Sequence, residues 1–299
     1  MKIKKTKILG LVLALIMFFT NLPFGMGIVH AEAGDVNIET SFPDENFRNY
    51  VKEKFDTAEP KGVLSQAELD EVKKINVRGM LIYKLEGIEH FKNLEQLICE
   101  SNPLSSLDLS NNKVLRNLNC SNNQLKSLDL SNNKDLRFLW CNDNQISELD
   151  TKNKDLSYLY CQNNRLTSLD VKDRELTRWD ASNQVYDITV IKEIREYKYS
   201  DLPGQFNKDK VSDQTGVSFG KNALIVNSDS VRKAKYTYKV FEKSASRKLV
   251  FDVILNIKYK NSTVAVRDSE EPGTVPIGRV RVTFDAGEGN TIEGTNRYK

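Results

Sequence analysis

Four cysteines and two histidines are the scarce reactive side chains of this chain. The cysteines stand at 99, 120, 141 and 161, and one of the histidines, His30, lies in the N-terminal leader. An even number of cysteines in an exported chain would permit disulfides. Zinc fits less well, because a metal site draws its cysteines from short C-x2–4-C spacings rather than from intervals of 21, 21 and 20 residues. A cysteine or serine nucleophile would have to use His90 as its base. That residue sits in GIEHFKNL, between apolar positions, where an exposed helix or loop residue is the simplest reading. No phosphate loop, nucleophile elbow or paired-histidine motif occurs, and no spacing singles out a carboxylate pair. The expectation is a non-catalytic chain with no cofactor and no metal.

The interval itself is the signal, since self-similarity at a fixed period marks a repeat architecture. LEQLICESNPLSSLDLSNNKV starts at Leu94, LRNLNCSNNQLKSLDLSNNKD at Leu115, LRFLWCNDNQISELDTKNKD at Leu136 and LSYLYCQNNRLTSLDVKDRE at Leu156. Each fits L-x-x-L-x-C-x-x-N-x-L-x-x-L, a leucine-rich repeat with cysteine in the sixth position. The L-x-C segment predicts a short strand whose alternate residues point in and out. The leucines then fill the interior, and Cys99, Cys120, Cys141 and Cys161 stack inward as small buried hydrophobes. Adjacent strands ~4.8 Å apart suit the Cα spacing of a disulfide. Parallel side chains, however, do not bring Cβ atoms to the ~3.8 Å a disulfide needs, so free thiols are expected. Asn102, Asn123, Asn144 and Asn164 fall at the turn after each strand, where their amides can satisfy backbone groups. Degenerate coils flank the four. Val72, Ile75, Val77, Ile82 and Leu85 take the apolar positions before them, with Met80 where asparagine belongs. After them, Trp179, Ala181 and Gln184 stand in for leucine, cysteine and asparagine. Terminal coils have one neighbour each and tolerate such departures. About six coils are expected over residues 72–186.

The flanks add compartment and modules. Lys2, Lys4, Lys5 and Lys7 precede an apolar run from Ile8 to Phe19, too short for the ~20 residues of a membrane span. Small residues follow, which predicts a signal peptide (1–31) cleaved after Ala31 or Ala33. Its four lysines carry the apparent basicity: without them the formal charge falls from +3 to −1, and nothing electrostatic points to nucleic acid. Phe47, Tyr50, Val51 and Phe55 recur at helical spacing, and Ser65 with Glu68 forms a capping box, so residues 32–71 should hold short helices. The loop from Asp56 fails as a calcium-binding loop, because Ala58 and Pro60 occupy ligand positions and Gly62 comes one residue late. Beyond the coils the apolar period changes to 2, in Tyr186, Ile188 and Val190, in Leu224 and Val226, in Tyr236, Tyr238 and Val240, and from Leu249 to Ile257. This predicts a small antiparallel β-sandwich over 187–262. Residues 263–299 read as an acidic linker and the start of an incomplete β module.

On these coils and flanks the chain resembles internalin-like leucine-rich-repeat surface proteins of Gram-positive bacteria, over roughly residues 40 to 262 by its repeat pattern. The resemblance implies a mostly β (α+β) fold, with an N-terminal helical cap, the solenoid and an Ig-like β-sandwich. It also implies a secreted or cell-surface location and possible cell-wall association.

The outward strand positions are the informative ones for binding. Position three reads Lys74, Gln96, Asn117, Phe138, Tyr158 and Arg178; position five reads Asn76, Ile98, Asn119, Trp140, Tyr160 and Asp180. Phe138, Trp140, Tyr158 and Tyr160 thus form a two-by-two aromatic block, rimmed by Asn119, Asn142, Gln162, Arg178 and Asp180. An exposed apolar patch rich in Trp and Tyr marks a binding surface, and the partner expected is a protein or a glycan. Aromatic pairs across strands also stabilise a sheet, so a structural spacer of the cell wall is the alternative. The non-catalytic part of a secreted hydrolase is a third reading. No membrane-spanning segment is expected after signal cleavage.

Overall fold

The computed structural model describes residues 34–150, 155–171, 176–242, 248–261, 282–285 and 291–294. The expected signal peptide and most of the expected linker lie outside these residues.

A two-residue strand (Val36–Asn37) and a one-turn helix (Ile38–Ser41) open the described chain, and two longer helices follow. Helix α1 (Glu45–Phe55) starts where Asp44 accepts the Phe47 N–H at 3.1 Å, and it buries Phe47 and Val51. Helix α2 (Gln66–Glu71) starts at a full capping box between Ser65 and Glu68 and buries Leu69. Phe47 and Phe55 of α1 pack with Phe42 and Phe91, Phe42 edge-on to Phe47 and Phe91 tilted against Phe42 and Phe55, with ring centroids 5.5–5.9 Å apart. The Tyr50 hydroxyl accepts the N–H of Asn76 at 3.2 Å. Asn76 belongs to the first strand of the sheet, so α1 supplies an acceptor to a sheet edge that has no earlier strand to pair with.

The solenoid follows. Strands β1 (Lys74–Asn76), β2 (Gln96–Ile98), β3 (Asn117–Asn119), β4 (Phe138–Trp140), β5 (Tyr158–Tyr160) and β6 (Arg178–Asp180) form one six-stranded parallel sheet in chain order. Their registers match without slip: Lys74, Gln96, Asn117, Phe138, Tyr158 and Arg178 form one row, and Asn76 to Asp180 another. Leu97, Leu118, Leu139 and Leu159, at the middle of their strands, are fully buried, while the residues on either side face out. This is the alternation that the pleat imposes.

Strand β7 (Gln184–Ile191) begins in the last turn of the solenoid and runs on into the second unit, straight through the 186/187 junction expected between them. It joins a four-stranded sheet ordered β7, β13 (Lys248–Lys260), β12 (Lys233–Glu242) and β9 (Val211–Thr215). A three-stranded sheet holds β8 (Glu196–Lys198), β11 (Ala223–Val226) and β10 (Val217–Phe219). Leu224 and Val226 of one sheet and Val190, Tyr236, Val253 and Leu255 of the other are buried; Tyr186 is only half-buried. The expected all-antiparallel arrangement needs one correction, because β7 pairs with β13 in parallel. Parallel neighbours need a long crossover, and the five strands between them provide it.

The two units share contacts as well as a strand. Tyr236 donates its hydroxyl to the Thr167 carbonyl at 3.0 Å, and Thr167 donates to the Pro203 carbonyl at 2.8 Å. Gly204, at φ 74°, lies so close that a Cβ there would stand 2.8 Å from Ser168 Oγ. Val282–Asp285 and Thr291–Gly294, in the expected incomplete module, pair as an antiparallel hairpin.

Candidate functional site

The side chains of the strand face are positioned by what happens one residue inward and at the following turn. Cys99, Cys120, Cys141 and Cys161 are buried, with no disulfide among them. Burial pushes every thiol up in pKa, Cys120 to about 12. They are neutral packing atoms.

Each cysteine carbonyl is held by two amides. Asn102 and Asn123 donate to Cys99 O at 3.1 and 3.0 Å; Asn123 and Asn144 donate to Cys120 O at 3.1 and 3.0 Å. Asn144 and Asn164 converge on Cys141 O at 3.2 and 2.9 Å, and Asn164 and Gln184 on Cys161 O at 3.0 and 2.9 Å. The oxygen of each amide accepts a backbone N–H of the preceding coil: Ile82, Leu104, Leu125, Ile146 and, for Gln184, Leu166. One amide per coil therefore ties two coils together and pairs backbone groups on both sides of the turn.

The residue just before each of these amides has a separate duty. Ser101, Asn122, Asp143, Asn163 and Asn183 all sit at φ 54–59°, the left-handed region in which Asn and Asp are the best tolerated non-glycine residues. Sequence reading found the periodic asparagine and missed this conformational reason for its neighbour. It also missed a second pair, Asn112 and Asn133, fully buried on the return side. Asn112 donates to Ile88 O and Phe91 O, and Asn133 donates to Leu109 O and Asn112 O, all at 2.9–3.0 Å. The recurring SNN at 110–112 and 131–133 was the available signal.

On this frame Phe138, Trp140, Tyr158 and Tyr160 lie on adjacent strands with their rings in mutual contact. Phe138 and Tyr158 are 4.7 Å apart between centroids, Phe138 and Trp140 6.1 Å at 9°, and Trp140 and Tyr160 6.3 Å at 4°. All four are half-buried, because each ring covers part of the next. Arg178 places its guanidinium 5.8 Å from the Tyr158 centroid, extending the block by a cation–π contact.

The rim is partly committed to local work. Asn119 Oδ1 and Asp180 Oδ1 each accept the N–H two residues on, at 3.1 and 2.9 Å, bracing the turn after their own strand. Asn119 also donates to Glu100 at 3.0 Å, and Glu100 pairs with Arg78 at 3.3 Å. Asn142 donates to Asp143 at 2.6 Å. Gln162 differs: its buried Oε1 has no hydrogen-bond partner among the described residues. Arg178 is the exposed member of the set. His90 lies away from this face, on the 3-10 turn Ile88–His90 against the Phe42 ring. No cluster of metal-ligating side chains occurs among the described residues.

The arrangement offers an aromatic surface with a mixed polar border. No protein-family model and no curated protein matches the chain. Among solved structures it is similar to the functional domain of InlJ from Listeria monocytogenes, which includes a cysteine ladder. Identity is 33%, covering 52% of this chain and 35% of that one, with a TM-score of 0.48. An internalin of the same organism, InlF, is 26% identical over 51% of this chain and 47% of its own, at a TM-score of 0.46. Internalin C2 is 23% identical over 52% and 80%, at 0.40. The chain thus spans less than half the length of the first two. With cysteine at the sixth position of its coils, asparagine at the ninth and a single parallel sheet, the coils form a leucine-rich-repeat solenoid, and over about half of the chain it is similar to these internalins.

Proposed function

We propose that the protein is an exported surface module that recognises a protein or glycan partner through the strand face of its repeats. One observation carries this reading: four aromatic rings gathered on outward positions that are polar in most other coils. Large aromatic side chains held in place lose little entropy on binding and dominate hot spots. In this reading α1 and α2 cap the first of six coils, the seven strands after the repeats form an Ig-like spacer, and the module itself catalyses nothing. Residues 1–31 direct export, and the wall or the medium is its location.

The test compares wild type with Trp140→Ala/Tyr160→Ala for retention on host-cell and bacterial surface extracts and on a glycan array. Binding should be lost with little change in thermal midpoint, since cross-strand pairs are worth only ~0.2–1 kcal/mol each. A large fall in stability with binding retained would overturn the reading. It would favour instead the structural alternative, in which the stacked rings serve the sheet and the module only spaces others.

A further inference from the structure

The two ends of the solenoid sheet differ. At the first, the Tyr50 hydroxyl accepts the Asn76 N–H at 3.2 Å. At the last, β6 pairs with β5 on one side and, among the described residues, with no strand on the other. Three series of backbone bonds stop there. The N–H groups of Cys99, Cys120, Cys141 and Cys161 each donate at 2.8 Å to a carbonyl of the following coil. Ala181 comes next in that series, and its N–H has no partner among the described residues. Ser101, Asn122, Asp143 and Asn163 donate one coil on at 2.9–3.0 Å, and Asn183 does not. The carbonyls of Glu95, Arg116, Arg137 and Ser157 accept from the following coil, and that of Thr177 does not.

Trp179 completes the array. The Arg178 N–H and the Asp180 carbonyl are both bonded toward β5, to Ser157 O and from Cys161 N. Alternate residues of a strand turn their ladder groups to opposite sides, so the Trp179 N–H and C=O face the open edge. Its side chain stands where Leu97, Leu118, Leu139 and Leu159 are fully buried, yet it is only half-buried, because no coil follows to cover it. A cleft of about 480 Å³ runs along this edge. Its other wall is the outer face of β13 and β12, where half-buried Val250 and Ile254 lie beside the Lys235–Asp252 pair at 2.7 Å.

We infer that this cleft takes an extended peptide segment as a seventh strand of the solenoid sheet, with an apolar side chain at every second residue. Its N–H groups would meet the Thr177 and Trp179 carbonyls, and its carbonyls the N–H groups of Trp179, Ala181 and Asn183. An extended backbone repeats a donor and an acceptor on one side at every second residue, which is the spacing this edge presents. Main-chain bonds supply the affinity of such strand addition, and the pockets for alternate side chains supply the preference. Here the pocket is formed by Trp179, Val250 and Ile254. The aromatic block, which stands on outward positions of β4 and β5, plays no part in it.

The test adds to the whole mature chain a synthetic copy of residues 156–164 with Cys161→Ser, a segment that already forms a strand next to β6. Binding is followed by calorimetry and by amide exchange. Saturable binding is expected, and the Trp179 and Asn183 N–H groups should exchange at least about tenfold more slowly with peptide bound. N-methylating alternate residues of the peptide gives two forms with the same side chains. One form loses the donors that face β6 and should bind at least about tenfold more weakly, as the loss of two hydrogen bonds implies, while the other binds as the parent does. Ile254→Lys, which places a charge in the cleft, should weaken the parent peptide about tenfold, the coils keeping their amide shifts. No saturation at millimolar peptide, equal binding of the two N-methylated forms, or unchanged binding by Ile254→Lys would each overturn the inference. So would slow exchange of the Asn183 N–H in the free chain, which would mean that the chain itself or a second copy already fills the edge.

Discussion

Replacing Asn144 with alanine tests the structural logic of the coils most directly. Its Oδ1 accepts the Leu125 N–H at 2.9 Å, and its amide donates to Cys120 O and Cys141 O at 3.0 and 3.2 Å. Alanine leaves each carbonyl one remaining partner, from Asn123 at 3.1 Å and Asn164 at 2.9 Å. It leaves the buried Leu125 N–H with none. A stranded buried donor costs ~1–3 kcal/mol and each lost net hydrogen bond ~1 kcal/mol, so a loss of about 3 kcal/mol is expected. For a unit of this size that lowers Tm by roughly 6–12 °C. Differential scanning calorimetry would read it, beside Asn142→Ala, whose amide reaches only Asp143 and which should stay within ~0.5 kcal/mol of wild type. Asn144→Asp sharpens the test. A carboxylate there keeps the Leu125 contact but faces two carbonyls, so burial raises its folded pKa above the ~3.9 of the unfolded chain. Stability is then retained below that value and lost as pH rises, making the aspartate variant worse at pH 7 than at pH 4. If Asn144→Ala matched Asn142→Ala, or Asn144→Asp were indifferent to pH, the amide ladder would not be what joins the coils.

Four further outcomes follow from other parts of the fold. A thiol reagent at pH 8 should label none of the four cysteines in the native protein and all four after denaturation without reductant, because burial holds Cys120 at about 12 and the others above their usual value. With folded pKa values raised, the thiols support folding below about 9 and cease to do so as pH climbs toward 12, so an alkaline loss of stability should shrink when Cys120 is replaced by Ala. Burial pushes the Glu68 carboxyl up, but the N–H groups of Ser65, Ala58 and Thr57 and the Ser65 hydroxyl outweigh it and hold the group at about 2. Its contribution is present above pH 4.5 and lost toward pH 2. Amide exchange in residues 56–71 should therefore accelerate over that window in wild type and much less in Glu68→Gln. Leu81 holds φ 56° with 66% of its surface exposed, and Leu81→Asn should raise stability by ~1 kcal/mol by denaturant unfolding, because asparagine tolerates that conformation.

How far each feature could be read in advance depends on whether neighbours along the chain or across space decide it. The strand rows, from Lys74 to Arg178 and from Asn76 to Asp180, follow from counting, because one coil repeats the last and the pleat alternates faces. Gln184 could be placed in the asparagine position by the same count, and the structure has it making the same bonds. The rim could not be read that way. Asn119 and Asp180 sit beside the aromatic block, yet each spends its oxygen on the N–H two residues ahead. No local pattern distinguishes such a bond from a side chain left open to a partner. The strands after the repeats were legible as strands by their period of two, but their direction was not. Alternation is the same in parallel and antiparallel pairs, and β7 takes its direction from the solenoid it continues.

The sequence by itself therefore determined the solenoid, its register and which side chains leave its outer face. Those properties depend on interactions that recur every 20 or 21 residues and are written into each coil. The tertiary structure alone decided that the four rings cover one another, that β7 and β13 run in parallel, and that Tyr236 of the second unit bonds the Thr167 carbonyl of the solenoid. These rest on contacts between residues dozens of positions apart, such as Tyr236 with Thr167, and only the closed fold brings them within reach.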